Sequence, residues 1–159
     1  MIIMVLSMNS LILLFALLAV PASAPEIPLL DLDDKPAGSV ADFKGQAVIL
    51  NFWASWCRPC QMELPALQKI AKERAGQKVK FITVNLDTTG TVARKFIEKR
   101  RLDLPVYRVK PEVVRALNLQ SIPVTIIFNP AGEVASTWTG LPGDFERRIG
   151  ALLDSFQRR

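Results

Sequence analysis

The chain has 159 residues, of which 50% are hydrophobic, and it carries a formal net charge of +5. This length suits one domain with its own core, so no second domain is expected. The basic residues are scattered in short groups without interleaved aromatics, and this argues against nucleic-acid binding. Because the chain has two cysteines and no histidine, a four-ligand zinc site would need two chains or carboxylate ligands.

An apolar leader opens the chain. Residues 1–24 contain no charged side chain, residues 11–20 are an unbroken apolar run, and Ala-Ser-Ala at 22–24 has the small-x-small form of a cleavage site. We interpret 1–24 as a signal peptide or, if it is not cleaved, as a membrane anchor, since this stretch is long enough to span a bilayer. The domain at 25–159 is then expected outside the cytoplasm, where a cysteine pair normally oxidises unless a reductant is supplied.

The first elements of the domain surround its cysteines. Residues 26–44 alternate short apolar pairs with Asp, Gly and Pro, which predicts an irregular segment or a small hairpin. Residues 46–53 predict a strand, because the continuous apolar run that they contain is typical of a strand buried on both faces. Pro59 suits the first turn of a helix, where its missing N–H costs nothing. This helix should end near Gly76, and its apolar positions are Leu64, Leu67, Ile70 and Ala71.

Both cysteines lie where this strand gives way to the helix. Cys57 is expected at the helix start, where unpaired backbone N–H groups and the helix dipole favour a thiolate, the species that attacks disulfides. Cys60 lies one turn later on the same face, close enough to resolve a mixed disulfide formed by Cys57. Haem attachment through C-x-x-C-H is excluded, because Gln61 follows Cys60.

The chain then continues with alternating strands and helices. A strand at 79–86 should form a right-handed βαβ unit with the preceding strand and helix. A helix is predicted at 91–101, a short strand at 105–109 and a helix at 111–117. The residues of the 91–101 helix that are predicted to face inward are Val92, Phe96 and Ile97.

The C-terminal part predicts a hairpin and a final helix. A strand at 124–128 begins directly after Pro123, a tolerable place for a residue without an N–H donor. The turn at 129–132 should join it to a second strand at 133–139. The final helix should cover one face of the sheet with an apolar stripe made of Phe145, Ile149, Leu152, Leu153 and Phe156.

The stretch from Asn51 to Pro65, NFWASWCRPCQMELP, resembles the thioredoxin superfamily, and more narrowly the TlpA/ResA-like extracytoplasmic thiol–disulfide oxidoreductases. The resemblance is carried by WC-x-x-C, by Phe-Trp-Ala before it, and by Pro65 at the place where thioredoxins kink this helix. It implies an α/β thioredoxin fold, in which helices flank a central mixed β-sheet. It also implies the short N-terminal extension that TlpA/ResA-like proteins have.

The resemblance further implies a role for residues near the dithiol. Asn51 stands where thioredoxin has a buried Asp, and an amide cannot take up a proton. Glu63 stands where TlpA/ResA-like proteins carry a Glu, so it is the ionisable candidate for proton exchange. The simpler alternative is that Glu63 is an exposed helix residue. Trp56 is expected to pack or to cover the site on the substrate side, and Arg58, between the cysteines, to support the site.

Ile122 and Pro123 match the Ile-Pro pair of thioredoxin-like proteins. The resemblance implies that their peptide bond is cis and faces the dithiol, and that the residue before the proline offers its backbone to an extended substrate. The sequence departs from the family at Ser121, where Gly is frequent, and at Val124, where Thr is frequent. These departures concern substrate fit and leave the redox assignment intact.

The resemblance implies an enzyme that exchanges the Cys57–Cys60 dithiol and disulfide with protein thiols and disulfides, without a cofactor or a metal. TlpA/ResA-like relatives are commonly reductants that a membrane electron donor keeps reduced, often for cytochrome c assembly, so a reductase is the first expectation. A disulfide-forming oxidant stays open, because a cation such as Arg58 beside the thiolate makes the couple more oxidising. A thiol peroxidase and a non-catalytic binding or chaperone-like module also stay open.

Overall fold

The computed structural model describes residues 26–158, and the predicted leader at 1–24 lies outside them. Among the helices of residues 26–158, none combines the length and the apolar character needed to cross a membrane. Along this part of the chain the elements are β1 (Pro28–Leu30), β2 (Pro36–Ser39), a 3-10 helix (Val40–Phe43), β3 (Ala47–Trp53), α1 (Arg58–Glu73), β4 (Val79–Asn85), α2 (Gly90–Arg100), β5 (Val106–Tyr107), α3 (Pro111–Ala116), β6 (Val124–Phe128), β7 (Val134–Thr139) and α4 (Phe145–Gln157).

A five-stranded mixed sheet forms the centre of the domain, with the strand order β5-β4-β3-β6-β7. Strand β3 pairs with β4 in parallel and with β6 in antiparallel orientation. It is buried at every residue, as its continuous apolar run predicts. The predicted α/β thioredoxin fold with a central mixed sheet is therefore confirmed.

The two faces of β3 pack against different elements, because successive side chains of a strand point to opposite faces. Ile49 and Trp53 face a core to which α1, α2 and α4 contribute. Val48, Leu50 and Phe52 face a second core, which includes the N-terminal segment and α3. Asn51 alternates with Leu50 and Phe52 along β3. It therefore lies on the same face as Ile49 and Trp53, which is the face toward α1.

The N-terminal extension is a small hairpin joined to the edge of the main sheet. Strands β1 and β2 pair in antiparallel orientation, as one of the two sequence interpretations predicts. Leu30 and Arg108 exchange two backbone hydrogen bonds of 2.9 and 2.8 Å, which tie the hairpin to the segment after β5. A Cβ atom at Gly90 would lie 1.8 Å from the carbonyl oxygen of Leu32, so glycine is required where α2 begins against the hairpin.

Most predicted elements are confirmed, and one predicted core position is wrong. Val92 is 40% exposed, whereas Ala93 is buried. The close approach of Gly90 to the hairpin turns Gly90 and Ala93 inward at helical spacing, and this rotation leaves Val92 on the solvent side. Two elements are shorter than predicted, since α1 ends at Glu73 and β5 covers only Val106–Tyr107.

Candidate active site

Cys57 and Cys60 form a disulfide at the start of α1, with their Cα atoms 5.3 Å apart. Cys57 caps the helix, and its Sγ accepts a hydrogen bond of 3.3 Å from the backbone N–H of Cys60. Pro59 lies in the first turn, as predicted, and Pro65 lies inside α1. Cys57 is 5% exposed and Cys60 is completely buried, so the sulfur nearer to solvent is the one predicted to attack.

Apolar and cationic side chains border the disulfide on the solvent side. Trp56 is 72% exposed, whereas Trp53 is buried. Of the two roles expected for Trp56, this exposure contradicts packing and is compatible with covering the site on the substrate side. The turn between β3 and α1 carries Trp56 outward. Met62 is also largely exposed, and Arg58 extends into solvent. These exposed side chains form a surface that a protein substrate could contact beside Cys57.

The loop before β6 lies against the disulfide. The Ile122–Pro123 peptide bond is cis, as the resemblance implies. The carbonyl oxygen of Ile122 lies 3.8 Å from Cys57 Sγ. The carbonyl of Pro123 accepts a hydrogen bond of 2.8 Å from Gly140 N–H, which joins this loop to the end of β7. Elements that are 65 residues apart in the chain thus meet at Cys57.

Glu63 is completely buried, so its interpretation as an exposed helix residue is wrong. It lies on α1, one turn beyond Cys60, and its Oε1 accepts a hydrogen bond of 2.9 Å from the Thr125 hydroxyl. Burial raises the pKa of Glu63 to about 7, although the hydrogen bond from Thr125 and the nearby Asn51 amide act in the opposite direction. Near neutral pH this carboxyl can therefore both accept and release a proton.

Thr125 is a site residue that the sequence reasoning missed. It lies directly opposite Asn51 in the antiparallel β3–β6 pair, and Asn51 Nδ2 donates a hydrogen bond of 3.0 Å to its hydroxyl. A signal was present in the sequence. Thr125 is a polar residue in the otherwise apolar strand VTIIF, two positions after Pro123.

A second missed group holds the turn that precedes Cys57. The Asp87 carboxylate is buried and accepts hydrogen bonds from the backbone N–H of Ser55, at 3.1 Å, and from its hydroxyl, at 3.0 Å. Asn85 Nδ2 donates a further bond of 2.8 Å to this carboxylate. Arg108 donates to the carbonyl of Asp87 at 2.8 Å and pairs with Asp34 of the hairpin. The active-site turn is thereby linked to the N-terminal extension.

Replacing Asp87 with alanine is expected to lower the free energy of unfolding by about 1–3 kcal/mol, because the Ser55 N–H and the Asn85 amide would lose their buried acceptor. Disulfide exchange should also slow, since the turn before Cys57 would no longer be held. Chemical denaturation and an exchange assay measure the two effects. Asp103→Ala is the control, because the Asp103 carboxylate makes only an exposed ion pair with Lys72 within residues 26–158. Equal effects of the two substitutions would contradict this role of Asp87.

A C-x-x-C disulfide at a helix start, beside a cis-proline loop on a mixed five-stranded sheet, defines a thioredoxin-fold protein with a redox-active cysteine pair. Residues 20–137 match the AhpC/TSA family. The chain belongs to this family and, within the thioredoxin superfamily, to the ResA-like thiol–disulfide oxidoreductases.

Relatives and solved structures agree with this assignment. The chain is 31% identical to the thiol–disulfide oxidoreductase ResA of Geobacillus kaustophilus, over 84% of this chain and 78% of that protein. A thiol:disulfide interchange protein from Chlorobium tepidum is similar in structure, with a TM-score of 0.71, 29% identity, and coverage of 85% of this chain and 98% of that one. StoA from Bacillus subtilis gives a TM-score of 0.67 and 28% identity, over 82% and 98% of the two chains.

Proposed function

We propose that this protein reduces disulfides of other proteins outside the cytoplasm and that Cys57 and Cys60 supply the two electrons. The observation that carries the proposal is the disulfide at the start of α1, which has the Ile122 carbonyl 3.8 Å from Cys57 Sγ on its outer side. On the inner side, a buried carboxyl lies one helical turn beyond Cys60. This arrangement supplies a nucleophile, a resolving thiol and a proton acceptor.

The reaction begins with the reduced protein. The Cys57 thiolate attacks one sulfur of a substrate disulfide, forms a mixed disulfide and releases the other substrate sulfur as a thiolate. Cys60 then loses its proton and attacks Cys57 Sγ. This step re-forms the Cys57–Cys60 disulfide and releases the second substrate thiolate. Two electrons pass to the substrate, and its two thiolates take up protons.

Glu63 is the proposed acceptor of the Cys60 proton. The resolving step needs a thiolate at Cys60, which is buried and therefore disfavours charge. A base with a pKa near 7 accepts this proton and returns it to solvent or to the leaving thiolate without a large energetic penalty in either direction. Asn51 cannot take this role, because an amide does not titrate.

The position of Glu63 also favours a reductant over an oxidant. A negative charge near the dithiol raises the pKa of the thiols, and this destabilises the thiolate form of the reduced protein. An oxidant of the DsbA type instead stabilises its reduced form. Arg58 is the cation that could act in the oxidising direction, but its side chain extends into solvent, where water screens its charge.

The proposed substrate is an extended segment of a protein that carries a disulfide. A substrate sulfur bound to Cys57 would lie beside the backbone of Ile122 and next to Pro123, where an extended chain can pair as an added strand. Trp56 and Met62 are exposed and would cover apolar side chains of that segment.

The place of work and the electron source are part of the proposal. The apolar leader at 1–24 is expected to export the domain or to anchor it. Outside the cytoplasm, each turnover leaves a Cys57–Cys60 disulfide that must be reduced again. A membrane electron-donor protein is the proposed source of these electrons, and cytochrome c assembly, in which a haem-binding cysteine pair must stay reduced, is the proposed setting.

The reduction potential tests the proposed direction. We expect a value closer to the approximately −270 mV of thioredoxin than to the approximately −120 mV of DsbA. Glu63→Gln should shift it positively by about 30 mV, the equivalent of ~1.4 kcal/mol for two electrons, since the charge opposing thiolate formation is removed. Equilibration with dithiothreitol or glutathione buffers measures both values. Glu73→Gln, at the exposed far end of α1, is the matched control and should leave the potential unchanged. A wild-type potential of approximately −120 mV would contradict the proposed direction of electron transfer.

A further inference from the structure

We propose that Thr125 is a positioning residue for proton exchange at the dithiol. Its hydroxyl, oriented by the Asn51 amide, holds Glu63 through Oε1 and leaves Oε2 as the oxygen that takes and returns the Cys60 proton. The inference rests on the proposed role of Glu63 and adds to it Thr125 and Asn51, the two residues that orient this carboxyl through hydrogen bonds.

The three side chains form a hydrogen-bonded chain with one direction. Asn51 Nδ2 lies 3.0 Å from Thr125 Oγ1, which lies 2.9 Å from Glu63 Oε1. The Asn51 NH₂ group can only donate, so the Thr125 hydroxyl accepts from it and has its single hydrogen left for Glu63. All three residues are buried, so water does not compete for these bonds.

The two carboxyl oxygens of Glu63 are therefore not equivalent. Oε1 accepts the Thr125 hydrogen, whereas Oε2 is buried and has no hydrogen-bond partner within residues 26–158. A proton that arrives on Oε2 breaks no existing bond. A proton on Oε1 would weaken that oxygen as an acceptor of the Thr125 hydrogen, and the chain cannot reverse its direction because the Asn51 NH₂ group only donates. The geometry thus makes Oε2 the exchanging oxygen.

Asn51 has little else to orient it. Its Oδ1 is buried and lacks a hydrogen-bond partner in the described part of the chain. The bond from Nδ2 to Thr125 is the side-chain hydrogen bond that the structure gives this amide. A buried amide that leaves one polar atom unsatisfied is costly, and its presence here is consistent with a role in directing the Thr125 hydrogen toward Glu63.

The hydrogen bond from Thr125 also keeps the pKa of Glu63 close to neutral pH. Burial favours the protonated carboxyl, and the bond from the hydroxyl favours the ionised one. The side chains that act on its pKa are Thr125 on β6 and Asn51 on β3, and neither is titratable. Cys60, one turn earlier on α1, does not titrate while it is in the disulfide. Without the hydroxyl, a larger fraction of Glu63 would stay protonated at neutral pH, and a smaller fraction could accept the Cys60 proton.

Thr125→Val tests this inference, because valine keeps the shape of threonine and removes the hydroxyl. The probe is the ¹³C-labelled Glu side-chain carboxyl signal of the oxidised protein, titrated by NMR and assigned through Glu63→Gln. We expect a Glu63 midpoint near pH 7 in the wild type and, in Thr125→Val, a midpoint higher by about one pH unit or more. Thr125→Ser, which keeps the hydroxyl, should return the midpoint close to the wild-type value.

Thr83→Val is the matched control. Thr83 lies beside Asn51 on the other neighbouring strand and is also buried, but its hydroxyl donates to the carbonyl of Pro105. Its loss should leave the Glu63 midpoint in place. Thr125→Ala serves as a second variant if valine impairs folding, and it should raise the midpoint in the same direction. An unchanged midpoint in the Thr125 variants, or an equal rise in Thr83→Val, would overturn the inference.

The pH profile of disulfide exchange separates this inference from the proposal on which it rests. If Glu63→Gln alters the profile while Thr125→Val leaves both profile and midpoint unchanged, the assignment of Thr125 fails and the role of Glu63 stands. If Glu63→Gln leaves the profile of the wild type intact, the proton role of Glu63 fails and the inference fails with it. A profile that moves upward in Thr125→Val together with the NMR midpoint supports both.

Discussion

Cys57→Ser is expected to reduce the rate of insulin-disulfide reduction to that of a reaction without protein. The hydroxyl of serine stays protonated at neutral pH, so the variant has no nucleophile at the start of α1, and Cys60 is completely buried. Turbidity of precipitating insulin chains, with dithiothreitol as the electron source, measures the rate. Equal activity of Cys57→Ser and wild type would favour a non-catalytic binding or chaperone-like module.

Cys60→Ser is the complementary variant. It should also lose turnover, yet it should accumulate a mixed disulfide with its substrate, because Cys57 can still attack and no thiol remains to resolve the product. Non-reducing electrophoresis and mass spectrometry of extracytoplasmic extracts would identify the captured proteins by their disulfide bond to Cys57. Capture by Cys57→Ser in place of Cys60→Ser would reverse the assignment of the attacking and resolving cysteines.

Glu63→Gln is expected to flatten the dependence of stability on pH in the oxidised protein. The pKa of Glu63 is raised from 4.5 to about 7 by burial, so its contribution to stability is fully present below pH 4.5 and falls as the pH rises through 7. Between these values the unfolded chain ionises while the folded chain keeps its proton, which disfavours folding by about 3 kcal/mol at alkaline pH. Above pH 7 the loss levels off.

Denaturant unfolding at several pH values between 4 and 8.5 measures this effect. The difference in unfolding free energy between Glu63→Gln and wild type should move in favour of the variant across that range, by an amount of the order of 3 kcal/mol. Glu73→Gln, on the exposed end of the same helix, should follow the wild-type curve. A difference that does not vary with pH would show that Glu63 titrates in the folded protein as it does in the unfolded chain.

Local signals in the sequence predict much of the redox site. The apolar run before the cysteines predicts strand β3, and Pro59 predicts the first turn of α1, so Cys57 is placed at a helix start by residues within about ten positions of it. The cis bond at Ile122–Pro123 follows from the resemblance alone, because most X–Pro bonds in folded proteins are trans. Both features hold in the structure.

The surroundings of Glu63 could not be predicted in the same way. Its place on α1, one turn beyond Cys60, is visible in the sequence, but the same spacing is compatible with an exposed carboxylate. The pKa depends on burial against β3 and β6 and on a hydroxyl 62 residues further along the chain. Solvent exclusion is a property of the assembled layers, so no pattern within α1 determines it.

The sequence by itself therefore determined the order of the elements, the α/β class and the chemistry of Cys57 and Cys60, because these depend on local periodicity, turn residues and a short motif. Tertiary structure decided which polar side chains surround that chemistry. The pairing of β3 with β6 placed Asn51 opposite Thr125, and the loop after β4 brought Asp87 to Ser55, 32 residues away. Such long-range pairs arise from sheet register and layer packing, which depend on contacts between segments that are distant in the chain.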